Sequence, residues 1–151
     1  MSRIVDVLAL LTTQHEQLDE LLAEAGHPTT RAAAFPALTE LLIAHLAVEQ
    51  EVLYPAIASL FDREVMAEVM VEHCEIKRVL ADLLWIELDD PDFTHKLTAL
   101  AVLLDGHCAW QAERMFSSVE ESVEVETRSA LGARMQAAQA AQALDSFASA
   151  A

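Results

Sequence analysis

Apolar residues recur along this chain at alternating spacings of three and four, the pattern that one buried face of an α-helix produces. The pattern fills four long stretches, and short segments rich in Gly, Pro, Asp and Thr separate them. It predicts helices over about 3–25 and 31–60, a third that begins after Asp62, and a fourth that begins after the turn at 89–92. We therefore expect an all-α protein, an up-down-up-down antiparallel four-helix bundle.

Local signals mark the ends of these helices. Gly26, followed by Pro28, predicts that the first helix stops at a glycine that tolerates the left-handed conformation, and Thr29 or Thr30 can cap the second. Pro55 lies inside the second helix, where it removes a backbone hydrogen bond. We therefore expect a kink near that residue.

A single histidine interrupts the apolar face of each of the four helices. These residues are His15, His45, His73 and His107. In each predicted hairpin the two histidines lie at similar distances from the turn, eleven and fifteen residues in the first, sixteen and fifteen in the second. At about 1.5 Å per residue the four rings lie within roughly one turn of the same level. We therefore expect one histidine from each helix to meet at the centre of the bundle.

A carboxylate shares this buried face with the histidines. Glu49 follows His45 by four residues, so both project from the same side of the helix. The apolar face continues on both sides of the pair at Leu38, Leu42, Val52 and Ala56. A buried carboxylate costs several kcal/mol unless it finds a partner, and no Lys or Arg lies on the face. Neutral imidazole with carboxylate is metal-ligand chemistry, so the pattern predicts a metal site. His27 and His95 lie off this face and are expected to be solvated.

Composition limits the classes of function. With 151 residues the chain can bury a self-sufficient core, and its net charge of −16 makes nucleic acid and anionic membranes poor partners. The N-terminus shows no cleavage-site pattern, and no stretch approaches about 18 uncharged apolar residues. Two cysteines suit a reducing compartment. We expect a cytoplasmic protein without a membrane partner, and a homodimer is left open.

The chain divides by composition into two parts. Residues 1–125 form the expected bundle, and residues 126–151 form a segment rich in Ala, Gln and Ser. Helical spacing in this segment favours a short fifth helix laid across the bundle, with partial disorder as the alternative. The residues at that spacing are Leu131, Met135, Ala138, Ala141, Leu144 and Ala148.

Four motifs of the chain resemble the hemerythrin-like, or HHE cation-binding, domains, and the resemblance covers about residues 5–122. The motifs are Gln14-His15-Glu16-Gln17-Leu18, the stretch from His45 to Pro55, Glu72-His73, and His107. The resemblance implies a non-haem di-iron site used for oxygen binding, sensing of oxygen or nitric oxide, iron handling or peroxide breakdown. By residue match, the implied ligands are His15, His45, Glu49, His73 and His107.

Two positions depart from the family pattern. Gln111 stands where the family usually places a second bridging carboxylate, and Lys77 stands where oxygen-carrying members have a further histidine. A carboxamide is neutral and offers only one weak oxygen ligand, so Gln111 is expected to be a weak ligand or a hydrogen-bond donor. The alternatives are a mononuclear metal-binding regulator or a metal-poor structural bundle, and zinc competes with iron. The expected partner is a small diatomic or peroxide ligand, and whether the protein is an enzyme is left open.

Each cysteine directly follows one of the buried-face histidines. Cys74 and Cys108 are interpreted as small buried residues at a helix interface. The alternative is a redox pair near the metal, which requires Cα atoms within about 7 Å.

Overall fold

The computed structural model describes the backbone of residues 5–150 and the side chains of residues 5–143. Every regular element in this part of the chain is helical. The α-helices are α1 (Val7–Gly26), α2 (Arg31–Val48), α3 (Tyr54–Ile57), α4 (Arg63–Leu84), α5 (Pro91–Trp110), α6 (Phe116–Ser122) and α7 (Val125–Ala150). Two π-helical turns, Glu49–Leu53 and Gln111–Met115, and one 3-10 turn, Ala58–Leu60, connect shorter helices to longer ones.

Four long helical segments form the bundle that the sequence predicts. Helix α1 packs against α2, and α4 packs against α5. Contacts between α1 and α5 and between α2 and α4 close the ring. The all-α fold is confirmed, and so is a further helix, α7, after the bundle.

The first hairpin turn differs from the prediction. Gly26 is the last residue of α1, and no residue in the described part of the chain has a positive φ, so the left-handed role proposed for this glycine is wrong. A buried arginine holds the turn instead. Arg31 donates from Nε to the carbonyl of Ala25 and from one terminal nitrogen to the carbonyl of Leu88, both at 2.8 Å. Its guanidinium therefore joins the turn between α1 and α2 to the turn between α4 and α5.

The irregularity expected near Pro55 takes the form of a π-helical turn. The amide of Tyr54 donates to the carbonyl of Glu49, five residues earlier, just before the proline that cannot donate. This wider turn shifts the buried face of the following residues. Ala56, predicted to be buried, is exposed, and Ile57 is buried instead.

The apolar core consists of two clusters with a polar layer between them. One cluster lies toward the hairpin turns and contains residues such as Leu18, Leu42 and Leu104. The other lies toward the opposite end and contains residues such as Leu11 and Met115. On each bundle helix the predicted histidine falls at the boundary between the two clusters. The polar layer is therefore shielded from water on both sides.

Helix α7 packs on α1, α2 and the π-helical turn Glu49–Leu53. Leu131 and Met135 are buried as predicted, whereas Ala141 is exposed. The expected side-chain positions of Leu144 and Ala148 lie outside the described residues. The division of the chain after residue 125 stays a prediction.

One helical segment, Arg31–Leu60, is long and apolar enough to cross a membrane. Glu40, Glu49 and Glu51 interrupt its apolar residues, so the expectation that no stretch approaches about 18 uncharged apolar residues holds. In the structure, 44% of its most apolar window is buried inside the protein. The core helix of a soluble bundle meets the same criterion, and this segment carries two residues of the central polar layer, His45 and Glu49.

Candidate metal centre

Glu49 lies at the middle of the polar layer, fully buried, and its two carboxylate oxygens face different helices. Oε1 contacts Nε2 of His45, one turn earlier on the same helical segment. Oε2 lies 3.2 Å from Nε2 of His73 on α4. Nε2 of His107, on α5, lies 3.3 Å from Oε1 and 3.1 Å from Oε2. One carboxylate thus contacts imidazoles from three helical segments.

The histidine of α1 completes this arrangement. Ligand atoms of His15, His45, Glu49 and His107 all lie within 4.8 Å of one another. The ring centroids of His15 and His45 are 5.2 Å apart, and those of His73 and His107 are 5.0 Å apart. The ring centroid of His107 also lies 6.0 Å from that of His45 and 6.2 Å from that of His15, so rings from both hairpins lie together around Glu49.

Two further side chains touch the carboxylate side of the centre. The hydroxyl of Tyr54 donates to Glu49 Oε2 at 2.6 Å and lies 3.1 Å from Nε2 of His73. The side-chain amide of Gln111 donates to the same hydroxyl at 3.1 Å. Gln111 is fully buried, so the residue that replaces the second carboxylate does enter the centre.

The electrostatics of the layer suit metal ligation. Burial raises the pKa of Glu49, but the neighbouring imidazoles of His45 and His107 outweigh burial and hold that pKa well below its usual range. Burial, and next the neighbouring His45, lower the pKa of His15 to about 4. Burial, and next the charge of Glu49, raise the pKa of Tyr54. Near neutral pH the centre therefore offers an ionised carboxylate, a neutral imidazole and an intact hydroxyl.

Unsatisfied polar atoms show that the residues fit a cation. Nε2 of His15 and Oε1 of Gln111 are buried and have no hydrogen-bond partner. Buried polar atoms in native proteins nearly always have partners. An imidazole nitrogen and an amide oxygen beside a carboxylate are satisfied together by a metal ion. His15, His45, Glu49 and His107 are the residues best placed to hold it, and His73 and Gln111 lie beside them.

The structure brings together all six residues that the sequence singles out. His15 is 9% exposed, and the other five are completely buried. The roles of these residues as ligands stay predictions. The two remaining histidines, His27 and His95, are exposed, as predicted.

Three residues around the centre were not singled out by sequence reasoning. Gln14 is buried, and its Oε1 lies 2.7 Å from Nδ1 of His45. Glu72 places Oε1 at 3.8 Å from Nδ1 of His107. Tyr54 is out of step with Glu49 in a regular α-helix and reaches it because of the π-helical turn. All three lie within the motifs that resemble the hemerythrin-like family, but a motif does not specify which histidine each side chain contacts.

Lys77 and the two cysteines lie outside the buried polar layer. Lys77 is exposed and donates to Gln50 Oε1 at 2.6 Å, so it is a solvated lysine. Cys74 is exposed, which contradicts its interpretation as a buried interface residue. Cys108 is half-buried, and burial and then the charge of Asp19 on α1 raise the pKa of its thiol to about 12. Both thiols are free.

Fold and centre together define a class: a four-helix bundle that holds a metal centre of histidines and carboxylate in its core. Comparison with protein families agrees. Residues 6–119 match the hemerythrin HHE cation-binding domain, and the chain belongs to this family. The protein is thus a metal-binding hemerythrin-like protein.

Among curated proteins, the chain is similar to a DNA nickase from Nostoc sp. (strain PCC 7120 / SAG 25.82 / UTEX 2576). The two are 25% identical over 123 residues, which are 82% of this chain and 35% of the relative. The chain thus spans about a third of the length of that relative. No solved structure matches the chain significantly.

Proposed function

We propose that this protein binds iron in the bundle core and uses it to bind, sense or turn over a small oxygen-type ligand such as O2, peroxide or NO. The observation that carries the proposal is the position of Glu49, a fully buried carboxylate in contact with His45, His73 and His107. Imidazole and carboxylate together suit non-haem iron, and iron, when bound, supplies open coordination positions and redox chemistry. The apolar clusters on both sides favour a small, uncharged ligand.

The geometry supports an unequal pair of metal positions. Four ligand atoms cluster around His15, His45, Glu49 and His107, whereas His73 shares its side of Glu49 with the hydroxyl of Tyr54. Because an amide cannot bridge two cations as a carboxylate does, the second position lacks a charged ligand. Two ferric ions carry six positive charges that a single carboxylate offsets poorly. We therefore propose one tightly bound metal per chain, or two that are unequally held.

Metal analysis of the purified protein tests the site itself. Wild type is expected to contain iron and to absorb visible light in air, and His45→Ala combined with His73→Ala is expected to remove the metal. His27→Ala combined with His95→Ala is the matched control, because both rings are exposed. Zinc reconstitution must be measured in parallel, since imidazole ligands suit both metals. Unchanged metal content in the His45/His73 variant contradicts the assignment.

Gln111→Glu tests the proposed stoichiometry. A second carboxylate beside Glu49 supplies the missing charge, so iron per chain is expected to rise from near one toward two. Iron content by elemental analysis and Mössbauer spectra distinguish one iron environment from two. If wild type already holds two equivalent irons and the substitution changes nothing, Gln111 does not limit the site. A wild-type protein without metal instead supports the metal-poor structural bundle.

The name of the curated relative adds DNA cleavage as an activity to test. We propose that this activity is absent from the present chain, because a net charge of −16 repels the phosphate backbone. A supercoiled-plasmid assay with iron-loaded protein is expected to show no relaxed product. Metal-dependent nicking that disappears in the His45/His73 double variant is the contrary result.

A further inference from the structure

The two hairpins of the bundle repeat one arrangement around their histidines. In the first hairpin, the residue before the α1 histidine is Gln14, and its side-chain oxygen lies 2.7 Å from Nδ1 of His45 on the next helix. In the second hairpin, the residue before the α4 histidine is Glu72, and its Oε1 lies 3.8 Å from Nδ1 of His107 on the next helix. Each side chain thus faces the ring nitrogen that points away from Glu49.

The opposite nitrogen of both rings faces the centre. Nε2 of His45 contacts Glu49, and Nε2 of His107 lies 3.1 Å from it. In a neutral imidazole, an acceptor at Nδ1 keeps the proton there and leaves the Nε2 lone pair available for a metal. Gln14 meets this requirement directly, since its carbonyl oxygen accepts from His45 Nδ1.

In the second hairpin, the 3.8 Å between Glu72 Oε1 and His107 Nδ1 exceeds the length of an ordinary hydrogen bond by less than about 1 Å. Nδ1 of His107 and Oε1 of Glu72 are buried, and neither has a hydrogen bond. The Glu72 side chain is 29% exposed, so it has room to rotate. In the described part of the chain, no Lys or Arg forms a salt bridge with Glu72, and His107 is its only basic neighbour at salt-bridge distance.

The two arrangements differ in charge. Gln14 is neutral, whereas Glu72 carries the negative charge that the centre lacks because Gln111 replaces a carboxylate. A carboxylate acceptor polarises an imidazole more strongly than an amide does and makes its other nitrogen a better ligand. We propose that Glu72 is a positioning residue of the metal centre, which accepts from His107 Nδ1, orients the ring and favours the more highly charged metal. Gln14 provides only the orientation at His45.

The assignment rests on the proposed metal function, and the experiment separates the two. Glu72→Gln keeps an oxygen acceptor but removes the charge, and Glu72→Ala removes both. Glu75→Gln, on an exposed face of the same helix, is the matched control. Metal affinity is measured by chelator competition with Fe2+ and separately with Zn2+, the reduction potential by titration of the iron-loaded protein, and folding by denaturation of the metal-free protein.

Affinity for both metals is expected to fall by about tenfold or more in Glu72→Ala and by less in Glu72→Gln. The iron potential is expected to rise in both variants, because loss of negative charge favours the reduced ion. Glu75→Gln is expected to match wild type. A purely structural role would change unfolding but leave the potential unaltered, and equal affinities in all variants overturn the assignment. If wild type binds zinc but not iron, the iron function fails while the zinc affinities still decide the role of Glu72. A protein that binds neither metal refutes both.

Discussion

At the scale of single residues, the histidines of the centre differ in what their ring nitrogens contact. His45 points Nε2 at Glu49 and Nδ1 at Gln14. His15 instead has a buried Nε2 without any hydrogen-bond partner. A metal ion would satisfy this nitrogen, whereas protonation of the ring is unfavourable. Burial and the neighbouring imidazoles oppose the charged form of His15 more than Glu49 favours it, which lowers its pKa.

The lowered pKa of His15 predicts how the metal-free protein responds to acid. Its pKa is about 4 in the folded protein against an ordinary value of 6.5, so between these values the unfolded chain binds more protons. The stability contributed by neutral His15 is therefore lost as pH falls through this window, by about 3 kcal/mol in total. The pKa of Glu49 is also lowered, but from an ordinary value of 4.5, so its loss begins only at lower pH.

His107 acts in the opposite direction and must be separated from His15. Burial lowers its pKa, but the charge of Glu49 outweighs burial and raises it, so the stability from charged His107 is lost as pH rises. Urea unfolding of wild type and His15→Gln at about pH 4 to 7 isolates the His15 contribution as the difference between the two curves. That difference is expected to depend on pH, and His27→Gln is the exposed control. A pH-independent difference contradicts the prediction.

At the scale of elements, the two π-helical turns begin at equivalent positions. Glu49–Leu53 starts four residues after His45, and Gln111–Met115 starts four residues after His107. Only the first has a proline close behind it, at Pro55, so proline is not their common cause. Both turns widen the helix where a side chain enters the centre, and the first brings Tyr54 onto Glu49.

The packing of α7 on α1 depends on the absence of a side chain at Gly132. A Cβ there would overlap the backbone oxygen of Val5 and lie 3.1 Å from the nitrogen of Val7. Gly132→Ala is expected to destabilise the protein by about 1–3 kcal/mol, because backbone atoms cannot move aside. Gly106→Ala is the matched control, since a Cβ added there would meet nothing within 4 Å and alanine favours the α5 helix by about 0.5–1 kcal/mol. Denaturant unfolding should give shifts of opposite sign, and shifts of the same sign contradict this account of α7.

At the scale of the whole molecule, the central polar layer divides the core into two apolar clusters. Such a layer costs stability unless its atoms are satisfied, and His15 and Gln111 each leave one buried atom without a partner. A metal bound only by the folded state therefore stabilises the bundle as well as equipping it for chemistry.

Metal removal is expected to lower the melting temperature. At a free metal concentration of about 100 times Kd, binding contributes about 2.7 kcal/mol. For a chain of this size that corresponds to a shift on the order of 5–10 °C. Differential scanning calorimetry with and without chelator measures the shift, and the His45/His73 double variant is expected to show none. Equal melting temperatures for wild type with and without metal would contradict a role of the metal in stability.

The sequence by itself determined the helical fold and the level at which the histidines meet. Helical spacing depends only on local geometry, so the faces that carry His15, His45, His73 and His107 follow from their positions alone. Glu49 followed for the same reason, since it lies one turn from His45. The resemblance of these motifs to the hemerythrin-like family is confirmed by the match over residues 6–119.

Tertiary structure alone decided the contacts between helices and the departures from regular geometry. Tyr54 and Ile57 face the core because one wider turn changes the register, which regular periodicity cannot express. Gln14 and Glu72 face ring nitrogens of histidines on the neighbouring helix, so these contacts depend on helix packing. Arg31 joins two turns that are distant in the chain. Local spacing specifies which face of a helix is buried, whereas the partner of each buried polar atom is set by the packing of the assembled bundle.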